Sequence, residues 1–448
     1  MNVKETLTEV KNTLPDMEWI TSPVHVKRLS KDFYWFSPLL VEQLADKKAD
    51  MIVKPRDEEE IRALVAACVQ HKIPLTIRGG GTGNYGQAIP LEGGLVMDLT
   101  SCKKVDWIAD GLIRVQTGMK IGELEDTVRE QGWELRCLPS TYKAACIGGL
   151  FAGGFGGVGS INFGPISAPG TVQSIRVMTI EEEPVINELR GKDLLTFHHT
   201  YGTNGIILDM ELALAPAQSW DEYMLAFNSI EDAHGFCRTM FDSVGIAKRE
   251  LGLYNPAAAA YFSDVPSDLK AGEFMVVSLV AEQSKTPMLD LLAEYNGRVA
   301  WTQSFEEMTQ SGLTMMEHCW NHATLHALKH DKSFTNLQTN YDAENVLQQL
   351  ADLKAETGDE VEIHLEYIRL ANGQLLITGL PLVRYSSAER LQEIMDIHEK
   401  LGIKINNSHV YTLEDGKHGG SLSDEIKASI KAYDPHRLLN RGKVRSMN

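Results

Sequence analysis

Apolar positions in the first half of the chain alternate between two periods. Ile61, Leu64, Val65, Cys68 and Val69 recur at i, i+3, i+4, i+7 and i+8, which predicts an amphipathic helix laid against a sheet. Asp57 stands where an N-cap belongs, and Glu60 falls at N3. Short apolar runs bracket this helix: Asp50 to Pro55 before it and Ile73 to Ile77 after Pro74 read as strands. Leu95 to Leu99 and Ile113 to Gly118 read the same way, and Ile121, Leu124 and Val128 place a second helix that ends at Gly132. Val172 to Ile180 is a further strand, followed by the acidic turn Glu181 to Pro184, and an alternating strand runs from Tyr201-Gly202-Thr203-Asn204-Gly205-Ile206-Ile207 to Pro216. From about residue 217 to 405 the glycine clusters stop, and methionine- and histidine-containing helices are expected, including one over Leu313 to Lys329. Loop character returns from Asn406 onward.

Between the strands ending near Ile77 and starting at Leu95 lies Arg78-Gly79-Gly80-Gly81-Thr82-Gly83-Asn84. Glycine reaches positive φ without a Cβ clash, and a bare backbone lets several N–H groups converge on an anion. Gly81-Thr82-Gly83-Asn84-Tyr85-Gly86 also satisfies GxGxxG, the dinucleotide fingerprint. That fingerprint requires a helix N-terminus directly after the loop. Here the chain continues through Pro90, Gly93 and Gly94 into another strand, so a nicotinamide-binding Rossmann unit is excluded.

Composition narrows the function further. The chain has 448 residues, enough for two or three domains, and 43% apolar with 23% charged residues is ordinary for a globular protein. Forty-three basic against 61 acidic side chains give a formal net charge of −18, which disfavours nucleic acid and anionic membrane surfaces as partners. Six cysteines without CxxC spacing predict reduced thiols and a cytoplasmic location. Ala144 to Gly159 imitates a membrane span, with GxxxG spacing at Gly149, Gly153 and Gly157. Seven glycines among its sixteen residues cost about 1 kcal/mol each in a helix, so no span is expected.

With these motifs in order, the chain resembles flavoproteins of the vanillyl-alcohol oxidase and p-cresol methylhydroxylase family, which includes glycolate oxidase-like and D-lactate dehydrogenase-like enzymes. The match rests on Pro55, Arg78 to Gly83 with Gly94 to Leu99, Val115 to Gly118, Pro139-Ser140, Ile147-Gly148-Gly149, Gly202 to Ile207, and the closing Asp434-Pro435 with Asn440-Arg441-Gly442-Lys443. The resemblance implies an α+β fold: a two-part FAD-binding domain of the PCMH type over residues 1–216 (core 50–216), a separate α+β substrate or cap domain over 217–405, and a return to the FAD domain over 406–448. It implies FAD as the cofactor. Arg78, Gly79, Gly80, Gly81, Thr82, Gly83 and Asn84 would hold the pyrophosphate. Pro139, Ser140, Thr141, Gly148, Gly149 and Gly153 would line the dinucleotide and flavin, Ile207 would meet the adenine, and Asn440 would close the site. Thr82 and Leu138 stand where members with covalent FAD carry histidine and cysteine, so the cofactor is expected to be non-covalent.

The implied activity is an FAD-dependent oxidoreductase acting on CH–OH groups, a dehydrogenase or oxidase of a small alcohol or 2-hydroxy acid, with hydride passing to flavin N5. A phenolic or benzylic alcohol, or a flavin-binding protein without catalysis, is the alternative. The partners are a small-molecule substrate and an electron acceptor, oxygen or a redox partner, and a homodimer is compatible with the sequence. Such oxidation needs a base for the O–H proton. His418-Gly419 resembles the histidine of the family's Glu-His-Gly, although Lys417 replaces the glutamate and the partner motif His-x-Gly-Asp-Gly-Asn-x-His is absent. His318, His322, His326 and His330 are spaced by four, and His322 with His326 is the preferred pair. A metal there lacks an acidic or cysteine ligand nearby in sequence, so none is assigned, and a solvated or capping row competes with a substrate-facing one. His364 with Glu366, His409, Arg369 and Arg384 are weaker candidates, the arginines as a carboxylate clamp.

Overall fold

A computed structural model describes residues 3–416 and 420–447. The helix expected after residue 57 spans Glu58–His71. Asp57 accepts a hydrogen bond from the Glu60 N–H, and all five stripe residues are buried. It covers a four-stranded sheet in which Leu75–Arg78 and Met51–Lys54 both run parallel to Leu95–Asp98, and Glu18–Ile20 pairs antiparallel at the edge. No helix intervenes between Arg78 and Leu95, so the bare loop connects two adjacent parallel strands directly.

A second, six-stranded sheet is built on Ile206–Pro216, which pairs antiparallel with Leu112–Gln116, Val172–Met178 and Trp133–Leu135. This strand was expected to alternate, but nearly every position is buried because it is flanked by strands on both edges and covered on its faces. The acidic turn Glu181 to Pro184 joins Val172–Met178 to Ile186–Arg190 as a hairpin. Helix Ile121–Arg129 packs on this sheet through Ile121, Leu124 and Val128. The glycine-rich stretch that imitates a membrane span holds only a seven-residue helix, Ile147–Gly153. Among the described residues no helix is long and apolar enough to cross a membrane.

Residues from Trp220 to Asn406 supply an eight-stranded antiparallel sheet, with strands Lys248–Tyr254 and His364–Arg369 at its centre. Two apolar cores cover its opposite faces: one includes Phe236, Leu350 and Ile394, the other Tyr254, Phe262 and Trp320. The tail then rejoins the first sheet. Leu75 N–H donates to Leu438 O, Asn440 N–H donates to Leu75 O, and Asp434 accepts from the N–H groups of Leu438 and Leu439. All six cysteines are free and buried.

The expected helix over Leu313 to Lys329 does not form as one element. A short turn at Met315–Glu317 is followed by helix Asn321–His330, and Trp320 between them has φ 54°. His318 therefore precedes the helix, and the four histidines do not share one helical face.

Candidate functional site

A cavity of about 610 Å³ lies where the glycine loop of the first sheet meets the eight-stranded sheet. Arg78, Gly79, Gly80, Gly81, Thr82, Gly83 and Asn84 line one end, joined by Pro139, Ser140, Thr141, Gly148, Gly149, Gly153 and Ile207. The loop is held from beneath. Phe33 N–H donates to Gly83 O at 2.7 Å, and Arg78 Nη1 donates to Lys31 O at 2.8 Å. Gly81 sits at φ 65°, and a Cβ there would lie 2.0 Å from the Arg78 guanidinium. A Cβ on Gly80 would lie 2.1 Å from Ala144 O. These two glycines are thus required by packing, with Arg78 folded back over its own loop.

The cofactor expectation can be tested on this geometry. The N–H groups of Gly81, Thr82, Gly83 and Asn84 donate to no described residue, and with Gly81 to Gly83 half-buried and Asn84 buried on the cavity wall they are left available to a ligand. Gly149, in the first turn of helix Ile147–Gly153, is exposed to the cavity, and a Cβ on it would meet nothing. Gly148 differs: its Cβ would lie 2.4 Å from Thr117 Cβ, so it serves helix-to-strand packing. N–H groups without a described acceptor, on a wall that the glycines at 79–81, 83 and 149 keep open, fit a pyrophosphate and an extended dinucleotide. Thr82 and Leu138 carry neither the imidazole nor the thiol that the resemblance ties to covalent attachment at these positions. Cys146 also lines the cavity, but burial pushes its thiol up to about 11, which keeps it in the unreactive form.

Asn440 does not line the cavity. It fastens the wall instead, donating from Nδ2 to Gln87 O at 2.7 Å and to Tyr201 O at 2.6 Å. Nearby, Lys443 is fully buried, donates to Gly86 O and lies 5.1 Å over the Tyr411 ring. Burial pulls its ammonium down to about 7, opposed by Asp32. Asp32 is pushed up to about 6 by burial, against hydrogen bonds from Ala88 and Tyr34 N–H and the charge of Lys443. Asp32, Phe33 and Phe36 all line the cavity, so the segment before the first parallel strand forms part of its wall.

The other end is lined by side chains from the second half of the chain: Trp320, Asn321, His322, Gln338, Asn340 and Asn407 among them. Tyr85 OH accepts from Gln338 Nε2 across the two halves. His322 Nδ1 lies 3.0 Å from Glu317 O, an acceptor only, so Nδ1 carries the proton and Nε2 the lone pair. Burial holds its pKa below the usual histidine range, which keeps the ring neutral.

Trp320 is positioned by two buried acids. Its N–H donates to Glu366 Oε1 at 2.9 Å and its indole Nε1 to Glu250 Oε2 at 3.3 Å. The two carboxyl groups also bond to each other, and His364 Nε2 lies 2.8 Å from Glu366 Oε1. Burial raises both acids, Glu366 to about 7 and Glu250 well above its usual range, so a proton is retained between them near neutrality. Positive φ costs a bulky residue roughly 1–3 kcal/mol, and these bonds offset it.

The remaining candidates separate. His326 does not line the cavity; it stacks on His318, with ring centroids 4.2 Å apart, beside Asp264. The pairing of His322 with His326 as cavity residues is thereby corrected: both lie on helix Asn321–His330, but the His326 ring packs against His318 and Asp264 rather than on the cavity wall. His330 is exposed, 3.4 Å from Ser263 Oγ. His418, with Lys417 and Gly419, lies outside the described residues. Arg369 binds the carbonyls of Ile161, Gly373 and Phe241, and Arg384 pairs with Asp331, so neither is at the cavity. His409 is buried against Ser37 Oγ at 2.8 Å and also stays off the cavity wall.

Comparison with known proteins agrees with this geometry. Residues 49–186 match the FAD binding domain family. The D-lactate dehydrogenase of Archaeoglobus fulgidus is 26% identical over 230 residues, which cover 48% of this chain and 51% of that protein. The glycolate oxidase subunit GlcD of Escherichia coli is 29% identical over 192 residues, covering 41% of this chain and 38% of that protein. The matched region thus spans about half or less of these relatives' length. A crystal structure of alkyldihydroxyacetonephosphate synthase superposes with a TM-score of 0.73 at 18% identity, covering 98% of this chain and 86% of that one, which establishes the shared fold.

Proposed function

From a chain whose residues 49–186 match an FAD-binding domain, and whose relatives include a D-lactate dehydrogenase and a glycolate oxidase subunit, we propose an enzyme that oxidises the CH–OH group of a small alcohol or 2-hydroxy acid. Bound FAD would supply a two-electron acceptor at N5. The observation that carries the reading is one cavity that has a bare loop of N–H donors at one end and a neutral histidine among amides at the other.

The residues divide the work accordingly. The N–H groups of Gly81 to Asn84 hold the pyrophosphate, and Gly149 leaves room beside it. Asn321, Gln338, Asn340 and Asn407 present neutral donors and acceptors that orient a hydroxylated substrate. His322, with Nε2 unprotonated, accepts the substrate O–H proton as the C–H bond is broken. Trp320 and Phe36 exclude water from that end. His418 remains a second base on the strength of its motif alone. Buried, unpaired cysteines suit a reducing compartment such as the cytoplasm.

A benzylic alcohol is the second reading, favoured by Phe33, Phe36 and Trp320 on the wall. Anaerobic mixing of the FAD-loaded protein with D- and L-2-hydroxy acids, aliphatic alcohols and benzylic alcohols distinguishes them. Loss of the oxidised flavin absorbance with the acids or aliphatic alcohols supports the first reading, and loss with benzylic alcohols alone supports the second. No loss with any panel member contradicts both.

A further inference from the structure

We propose that Asp264, His318 and His326 form a binding site for a divalent transition-metal ion of the zinc class, separate from the cofactor cavity. Nitrogen or oxygen ligand atoms of all three lie within 4.8 Å of one another. His318 Nε2 is 3.0 Å from Asp264 Oδ1, and His326 Nδ1 is 3.8 Å from Asp264 Oδ2. Tetrahedral ligation at about 2.0–2.1 Å places ligand atoms roughly 3.3 Å apart, between those two separations. Asp264 sits in the segment after helix Pro256–Ala259 with its side chain 51% exposed, so it is the ligand free to adjust and the side from which an ion enters.

The hydrogen bonds behind the rings make the site more than a cluster. His318 Nδ1 lies 3.2 Å from Thr314 O, and His326 Nε2 lies 3.3 Å from Glu317 O. A carbonyl only accepts, so each ring is protonated on the nitrogen facing away from Asp264 and turns a lone pair toward it. Fixing the distal nitrogen of a histidine in this way is how metal ligands are oriented. Two nitrogen lone pairs then face a carboxylate, an arrangement of acceptors that calls for a cation between them. The two rings stack on each other and on Phe262 in near-parallel planes, so joint ligation of one ion requires one of them to turn about its Cβ–Cγ bond. A proton on one ring competes with the ion, as does the exposed Lys329, whose Nζ is 3.5 Å from His326 Nδ1.

One ligand and the cavity wall share a helix. His326 lies in Asn321–His330, which also carries His322 and Leu325 at the cavity, and His322 and His326 both bond Glu317 O. A bound ion would fasten the segment holding Asp264 to this wall.

The test uses the FAD-loaded protein, stripped with a chelator and titrated with Co²⁺ while the ligand-field absorption is followed, then with Zn²⁺ to displace it. The expected result is one saturable equivalent of Co²⁺, released by Zn²⁺. Asp264→Asn, at a half-exposed position that does not threaten folding, weakens Co²⁺ binding by at least about tenfold with FAD content unchanged. Lys329→Met, which removes the competing cation, tightens binding. Absence of a saturable cobalt band, or equal affinity in Asp264→Asn, overturns the proposal.

Discussion

Gly149→Val separates the cofactor's claim on a glycine from the fold's. The residue lies in the first turn of helix Ile147–Gly153, lines the cavity, and has nothing within 4 Å of the position its Cβ would take. Valine is a slightly better helix former than glycine, so the stability of the FAD-free protein should change by no more than about 0.5 kcal/mol. A branched side chain pushed into a trough shaped for a dinucleotide resembles overpacking, at about 1–3 kcal/mol. That loss corresponds to about a 5- to 150-fold higher Kd for FAD. Gly148→Ala is the contrast: its Cβ would meet Thr117 Cβ at 2.4 Å, so the FAD-free protein itself is destabilised. Denaturant unfolding of the FAD-free proteins, with FAD titrations followed by flavin fluorescence, reads both quantities. Wild-type FAD affinity in a folded Gly149→Val protein would refute the placement of the cofactor over this helix turn.

Other expectations follow from the same geometry. Glu366, pushed up to about 7 by burial, keeps its proton in the folded state at pH values where the unfolded chain has lost it. Its contribution is fully present below about 4.5 and is lost as pH rises through 7, by up to about 3 kcal/mol, so Glu366→Gln should flatten unfolding free energy against pH across that window. Urea titrations at a series of pH values check this, and an unchanged slope counts against the shared proton. His322→Gln should slow substrate oxidation by about 10²- to 10⁴-fold at unchanged FAD content, read by stopped-flow flavin absorbance. Gly81→Ala, at φ 65° with a Cβ 2.0 Å from the buried Arg78 guanidinium, should cost at least about 1 kcal/mol and lower the thermal unfolding midpoint.

The glycine loop was legible because its chemistry is local: four glycines after a strand, and Pro90 denying a helix, fix a bare connection whatever else the chain does. Helix Glu58–His71 was legible for the same reason, through its cap and its stripe. The far end of the cavity was not. Gln338 and Asn340 come from one strand, Thr378 from another and Asn406 from a third, and no spacing in sequence anticipates their meeting. The histidine row misled because its period of four is real, yet Trp320 donates its N–H to Glu366 rather than into a helix and so breaks the row. Asp264, which the row lacked as an acidic partner, arrives from 54 positions before His318. The Phe33 to Phe36 aromatic run was the available signal that the N-terminal segment packs against the site.

Anaerobic single turnover tests the central claim most directly. Mixing the FAD-loaded protein with an excess of the substrate identified from the panel should yield one equivalent of carbonyl product for each flavin that loses its oxidised absorbance. Carbonyl product without loss of that absorbance, or flavin loss without carbonyl product, would contradict an FAD-dependent oxidation of CH–OH in this cavity.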